Sequence, residues 1–263
     1  MILAISDVHF ALDALRRVVS TGHTILILGD LVNLTDYRTG EGAVADVLGI
    51  DFARETSAAR AAGDYQGMRD LWSDHVGSGF EDVRSRIGAA IDAQYQQVAE
   101  VLDGGHGFVI HGNVDRPRSL QASLPSGFEY VHGAVVELEG VKFGFVGGGA
   151  PTPLQAEGEI AEEEMARILE GMGRVDVLCT HVPAAIPALR TDVITGRAER
   201  GSEAVLDYLT GERPRLHLYG DVHQPQATTW RVGLTRCRNV GYFRATGRAL
   251  PLDPAWLAGL GSH

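Results

Sequence analysis

Cysteine is nearly absent from this chain: two residues in 263, Cys179 and Cys237. Two thiols so far apart exclude a disulfide framework and a CxxC metal or redox site. Cys179 lies inside the apolar run "VDVLCTH", so both are expected to be core or near-surface thiols. Long apolar runs are also missing, and none approaches the ~20 residues that span a bilayer. The opening residues, "MILAISDVHF", read as the start of a strand and lack the basic n-region and cleavage site of a signal peptide. A cytoplasmic location without a membrane partner is the expectation. Positive charge is scarce, with 23 Lys and Arg against 34 Asp and Glu and a formal net charge of -11. Five glutamates crowd "AEGEIAEEEM" (156–165). That balance excludes a broad nucleic-acid footprint and favours a small-molecule partner. No Pro/Ser-rich linker, low-complexity tract or repeat of ~20–50 residues divides the chain. One domain over residues 1–263 is therefore expected, and oligomeric state has no readable signal.

What is present is a series of short runs rich in Val, Ile, Leu and Phe. Strands are predicted at "ILAI" (2–5), "TILIL" (24–28), "GFVI" (107–110), "AVVEL" (134–138), "VKFGFV" (141–146), "VDVLCT" (175–180) and "RLHLY" (215–219). Helical patterns alternate with them at 11–20, at about 157–172 with Ala161, Met165, Ile168 and Met172 on one face, and at 202–209. This alternation implies an α/β architecture. The stretch from about 41 to 103 differs: it has no strand signal and is rich in Ala, Arg, Asp and Glu. Its best helix follows the capping-box pattern Ser78-x-x-Glu81, carries Phe80, Val83, Ile87, Ile91, Val98 and Leu102 on one stripe, and stops at Gly104-Gly105. It reads as a helical insertion.

Five of the apolar strands are followed at once by metal-ligand residue types: Asp7 and His9, then Asp30, Asn113, His181, and finally Asp221 and His223. Parallel α/β sheets gather the C-terminal ends of their strands on one rim, so these loops can converge. Seven oxygen and nitrogen ligands suit two divalent cations, with positions left for water and substrate. Gly-Asp and Gly-Asn pairs after strands are also ordinary turn formers, but turns alone do not account for His9, His181 and His223 at matching places. The tripeptide Asp-Val-His occurs at both ends of this series, in "LAISDVHF" and in "LYGDVHQP".

The order D-x-H, G-D, G-N, H and G-x-x-H resembles the five motifs of the calcineurin-like metallophosphoesterase superfamily. The resemblance implies a four-layer αββα sandwich of two mixed β-sheets flanked by helices. It implies one metal held by Asp7, His9 and His223, a second by Asn113, His181 and Asp221, and Asp30 bridging them. The implied activity is that of a dinuclear metal-dependent phosphoesterase, in which metal-bound hydroxide attacks phosphorus in line with the leaving oxygen. A small-molecule phosphate ester is the expected substrate, with a phosphodiester favoured; a phosphomonoesterase, or a metal-stabilised binding or regulatory protein of weakened turnover, is the alternative.

Three positions depart from the family pattern. Asp221 stands where the family has the first His of G-H-x-H, which makes the site less positive and favours Mn²⁺ or Fe²⁺ over Zn²⁺ on ligand hardness. Val114 stands where many relatives carry the histidine that protonates the leaving group. Asn33 ends G-D-x-x-N in place of Asp. Asp115, Arg116 and His111 are the candidate catalytic groups: Asp115 for proton handling or ligand support, Arg116 for phosphate clamping. A packed strand-end histidine is the competing account of His111. Arg116, Arg118 and Arg200 are candidates for substrate binding, with Arg190 and Arg197 punctuating the same segment as Arg200. The remaining histidines, His23, His75, His106, His132 and His217, have no motif context and are read as structural or exposed. The glycine run "VGGGAPTP" (146–153) lacks dinucleotide spacing and reads as a loop that lets backbone approach the rim of the site.

Overall fold

A computed structural model describes residues 1–152, 156–194, 196 and 198–253. In chain order the elements are β1 (Ile2–Ile5), α1 (Leu12–Val19), β2 (Thr24–Leu28), α2 (Ala43–Leu48), α3 (Ile50–Ala62), α4 (Tyr65–Val76), α5 (Phe80–Leu102), β3 (Gly107–Ile110), α6 (Pro117–Ser123), β4 (Phe128–Tyr130), β5 (Ala134–Leu138) and β6 (Val141–Val146). They continue with α7 (Glu162–Met172), β7 (Val177–Thr180), α8 (Pro187–Arg190), α9 (Glu203–Gly211), β8 (Leu216–Tyr219), β9 (Thr229–Val232), β10 (Thr235–Asn239), α10 (Phe243–Thr246) and β11 (Leu250–Leu252).

The chain forms two compact units, one of residues 1–31 with 98 onward, the other of residues 32–97. The first holds two mixed sheets flanked by helices, in the orders β11-β1-β2-β3-β4 and β5-β6-β7-β8-β10-β9. Parallel pairing runs through β1, β2, β3 and β4 and through β6, β7, β8 and β10; β11, β5 and β9 are antiparallel edges. Ile2, Ala4, Leu26, Leu28 and Ile110 of one sheet pack with Phe143, Phe145, Cys179, Leu216 and Leu218 of the other. The opposite face of the second sheet packs Leu178, Tyr219 and Cys237 against Met165 and Leu169 of α7 and Val205 and Leu209 of α9. Strands covered on both faces must be apolar at successive positions, and this is why the runs in the sequence are continuous. Both thiols are buried, and burial pushes the Cys237 thiol up to about 12.

Five strands begin and end at the residues read from the sequence, and β7 and β8 are trimmed at their first residues. β4, β9, β10 and β11 carried no apolar run: β4 and β11 are three residues long, β9 is mostly exposed, and β10 alternates buried Thr235, Cys237 and Asn239 with Arg236 and Arg238. α7 starts at Glu162, later than its periodicity suggests, because Gly158, Glu159 and Ile160 first pair with Gly149. The unit of residues 32–97 contains α2, α3, α4 and most of α5, with a small core of Val44, Phe52 and Ala53 against Leu71, Trp72 and Ile87. Phe80 is 51% exposed and leaves the predicted stripe, while Val83, Ile91, Val98 and Leu102 are buried. Ser78 lies in a 3-10 turn, Gly77–Gly79, that runs straight into α5. Among the described residues no helix is long and apolar enough to cross a membrane.

Candidate metal centre

The seven residues at the strand ends come from β1, β2, β3, β7 and β8, five neighbouring strands of the two sheets whose parallel direction brings their C-terminal ends to one rim. The loops bind each other through the backbone: Asp7 N–H donates to Gly29 O at 3.1 Å and His9 N–H to Asp30 O at 2.8 Å. Asp7 (φ 57°), His9 (φ 40°), Asp30 (φ 55°) and Asp221 (φ 64°) all occupy the left-handed region. For residues other than glycine this is uncommon and unfavourable, and it persists where surrounding contacts over-determine it. Gly29, at φ +98°, is required as glycine: a Cβ there would stand 2.6 Å from both Gly112 N and His181 Nδ1.

The side chains converge. His9 Nε2 and His223 Nε2 are 3.2 Å apart, and His223 Nε2 is 3.5 Å from Asp7 Oδ1. His9 Nε2 is 3.6 Å from Asp30 Oδ2. His181 Nε2 lies 3.5 Å from Asp30 Oδ2 and 3.7 Å from Asp221 Oδ1. Two groups could each hold a cation, Asp7 with His9 and His223, and Asp7 with Asp30 and His181; within each, one donor atom per residue lies within 4.8 Å of the others. The first group coincides with the expected ligands of one metal. Asp7 also approaches the second group, an overlap the motif order does not reveal.

The donor set fits divalent cations on two counts. Asp7 Oδ1, Asn113 Oδ1 and His181 Nε2 are buried without a hydrogen-bond partner, a costly state for polar atoms unless a ligand satisfies them. His181 Nδ1 is 2.7 Å from Leu28 O, so Nδ1 carries a proton and Nε2 is the ring nitrogen left to face a cation among the carboxylates, as in metal-binding imidazoles. The charge balance agrees. Ion-pair contacts to Asp7, Asp30 and Asp221 come from histidines alone among the described residues. Burial pushes the Asp221 carboxyl up to about 7, with Asp7 and Asp30 adding to the rise against the opposing effect of His181. Burial opposes charge on His181, but Asp30, Asp221 and Asp7 outweigh it and hold its pKa well above the usual histidine range. Without a metal, a proton on His181 compensates carboxylate charge that a cation would neutralise.

The match to known proteins follows the same residues. The family model described as calcineurin-like phosphoesterase matches residues 1–225. The chain belongs to the calcineurin-like phosphoesterase family. That family is one of metal-dependent phosphoesterases, typically with a dinuclear divalent-metal site. One solved structure shares 15% identity with a TM-score of 0.56, covering 92% of this chain and 90% of its own. Another, TT1561 of Thermus thermophilus, shares 14% identity with a TM-score of 0.50, covering 95% of this chain and 96% of its own. At such identities both are similar in fold. No curated protein matches the sequence.

Other family positions take varied places. Asp115 is 1% exposed, and its carboxylate accepts the backbone N–H groups of Asp30 at 2.8 Å, Leu31 at 3.1 Å and Gly112 at 2.9 Å. It thereby staples the loop after β2 to the loop after β3. Val114 contributes its backbone N–H, 3.1 Å from Asp30 Oδ1. His111 Nδ1 is 2.7 Å from the Tyr130 hydroxyl, and burial, followed by His132 and His181, lowers its pKa to about 3. Arg116 Nε donates to Glu157 at 3.1 Å. Arg118 is exposed at the start of α6, and Arg200 is exposed with Nη1 donating to Pro151 O. Arg197 and Pro153 lie outside the described residues. Asn33 Nδ2 donates to Glu41 O, and its backbone N–H donates to Gln94 Oε1, within the unit of residues 32–97. The glycine run passes close to the centre: a Cβ on Gly149 would collide with Asn113.

Sequence reasoning missed the segment after β10. Tyr242 stacks on His223 with centroids 3.8 Å apart and planes 2° from parallel. Arg244 donates from its backbone N to Asp7 O at 3.0 Å and from Nη1 to His9 O at 2.5 Å. Asn239 Nδ2 donates to Gly220 O and Val222 O. None is a metal-ligand type in a motif, and the only available signal was their place at the end of a strand too polar to be recognised, Asn239, or just beyond it, Tyr242 and Arg244.

Proposed function

We propose that this protein is a phosphoesterase that uses two divalent cations to hydrolyse a small-molecule phosphate ester in the cytoplasm, with a phosphodiester as the favoured substrate. One cation is assigned to Asp7, His9 and His223, the other to Asn113, His181 and Asp221, with Asp30 shared and residues 41–103 an insertion in a single domain. The observation that carries this reading is the set of three buried, unpartnered donor atoms, Asp7 Oδ1, Asn113 Oδ1 and His181 Nε2. Cations bound there would supply Lewis acidity toward phosphoryl oxygens and lower the pKa of a water in the site.

The protein's own residues divide the remaining work. The Asp115 carboxylate positions the Asp30 loop through its backbone hydrogen bonds, and the Leu28 carbonyl fixes the His181 tautomer. Tyr242 orients the His223 ring by stacking. A third carboxylate at 221 makes the loaded site one unit less positive than a histidine would. That favours a monoanionic diester over a dianionic monoester, and Mn²⁺ or Fe²⁺ over Zn²⁺. Val114 has no proton to give a leaving group. A weakened enzyme that chiefly binds its ligand is the second reading, and Val114 is the observation that favours it.

One experiment separates them. Manganese per chain is measured after Mn²⁺ loading, and turnover is followed with bis(p-nitrophenyl) phosphate and p-nitrophenyl phosphate. The expected result is two ions per chain, lost on Asp30→Asn, with faster diester than monoester hydrolysis. Two ions without turnover of either ester would favour the binding protein, and no bound metal would end both readings.

A further inference from the structure

The face of the six-stranded sheet that packs against the other sheet changes character at one end. β8 presents Leu216 and Leu218, which belong to the core between the sheets. β10 sets Arg236 beside Leu216 and Arg238 beside Leu218. β9 then sets Arg231 opposite Arg236. These residues, with Trp230, the β11 segment that includes Leu250 and Leu252, and one carboxylate, Asp253, line a cavity of about 720 Å³. Among the described residues none of the three arginines has a carboxylate at ion-pair distance.

Inward-pointing charge is a known way to blunt a sheet edge, but β9 is the edge and β10, which carries two of the arginines, is interior. Arg231 and Arg236 are both exposed, so the repulsion between these directly opposite like charges is partly screened by solvent, and an anion between them would relieve what remains. The cavity lies within the size range of sites for drug-sized ligands. Its floor is leucine and its wall carries three guanidinium groups against the single carboxylate of Asp253; guanidinium is a donor suited to two-point contact with carboxylate or phosphate. In a chain of net charge -11, this is a local surplus of the opposite sign.

We propose that this cavity binds a small amphipathic anion, with the apolar body on Leu216, Leu218 and Leu252 and the carboxylate or phosphate head on Arg231, Arg236 and Arg238. The site is separate from the metal centre and does not depend on the function assigned to it.

The test is calorimetric titration of the Mn²⁺-loaded full-length protein with laurate below its micellar concentration, with dodecanol as the uncharged control. Laurate should bind and dodecanol bind at least about tenfold more weakly, since hydrogen bonds to charged groups carry this order of affinity. An Arg236→Gln/Arg238→Gln double variant, shown folded by its melting curve, should lose laurate binding by about tenfold or more, and Arg231→Gln provides an independent check should the double variant fail to fold. Asp30→Asn should bind laurate as the parent does. Flotation with phosphatidylglycerol vesicles distinguishes the source: arginine-dependent flotation assigns a bilayer lipid, and laurate binding without flotation assigns a free amphiphile. Laurate binding that is absent, unaffected by all the arginine variants, matched by dodecanol, or lost in Asp30→Asn would overturn the proposal.

Discussion

Replacing Asp221 tests the metal centre most directly, because this residue departs from the family pattern yet lies among the donors. Its Oδ1 is 3.7 Å from His181 Nε2, its backbone N–H donates to Asp7 Oδ2 at 3.2 Å, and its φ is 64°. Asp221→Ala removes an anionic oxygen and also places alanine in a left-handed conformation costing roughly 1–2 kcal/mol. Asp221→Asn separates the two effects, since asparagine tolerates that conformation and keeps an oxygen donor. At an effective dielectric of ~20 and a separation of ~4 Å, one unit of charge is worth about 4 kcal/mol against each unit of cation charge. Asp221→Asn should therefore weaken Mn²⁺ binding at one site by at least roughly 10³-fold, the effect against a single unit of the ion's double charge. It should also relieve repulsion with Asp7 and Asp30, so the metal-free variant should melt higher than the metal-free parent while gaining less from added Mn²⁺. Asp221→His should regain affinity with a shift toward Zn²⁺, imidazole being the softer donor. The assays are calorimetric titration of metal-free protein with Mn²⁺ and Zn²⁺ and melting curves with and without metal. If Asp221→Ala binds two Mn²⁺ per chain with the parent's affinity, the residue is not a ligand and the reasoning fails.

Val114→His should accelerate hydrolysis of alkyl phosphate esters by up to about 10²–10⁴-fold while changing nitrophenyl esters little, because general acid help matters for poor leaving groups; equal effects on both substrates would refute this. Tyr242→Ala should weaken Mn²⁺ affinity by about 10–100-fold, the usual effect of removing a support behind a metal ligand, and Tyr242→Phe should restore it by keeping the stacked ring; equal losses in both variants would show that stacking is not what positions His223. His217 is fully buried, and burial lowers its pKa from 6.5 to about 3. Its folded state thus resists protonation, so its contribution to stability is complete above pH 6.5 and is lost as pH falls toward about 3, at a slope of up to about 1.4 kcal/mol per pH unit. Denaturant unfolding of His217→Asn at a series of pH values in this window should show a shallower acid loss than the parent, and parallel curves would contradict the assignment.

The sequence by itself determined the strands β1, β2, β3 and β6, since residues buried on both faces of a sheet must be apolar with little interruption, and the edge strand β5, whose residues alternate between half-buried and exposed. It also determined which residues end five of the strands, because Asp, Asn, His and Gly interrupt those runs abruptly. Only the tertiary structure decided that Asp7 approaches both donor groups, that Asp115 spends its carboxylate on three backbone N–H groups, and that Tyr242 and Arg244 brace His223, Asp7 and His9. Likewise Arg116 and Arg200, read as phosphate clamps, donate to Glu157 and to the Pro151 carbonyl. The Asp115 and Arg244 contacts join residues 84, 85 and 235 positions apart. Local periodicity reports which face of an element is buried, but it carries no record of which distant backbone group a polar side chain will meet once the strands are laid side by side.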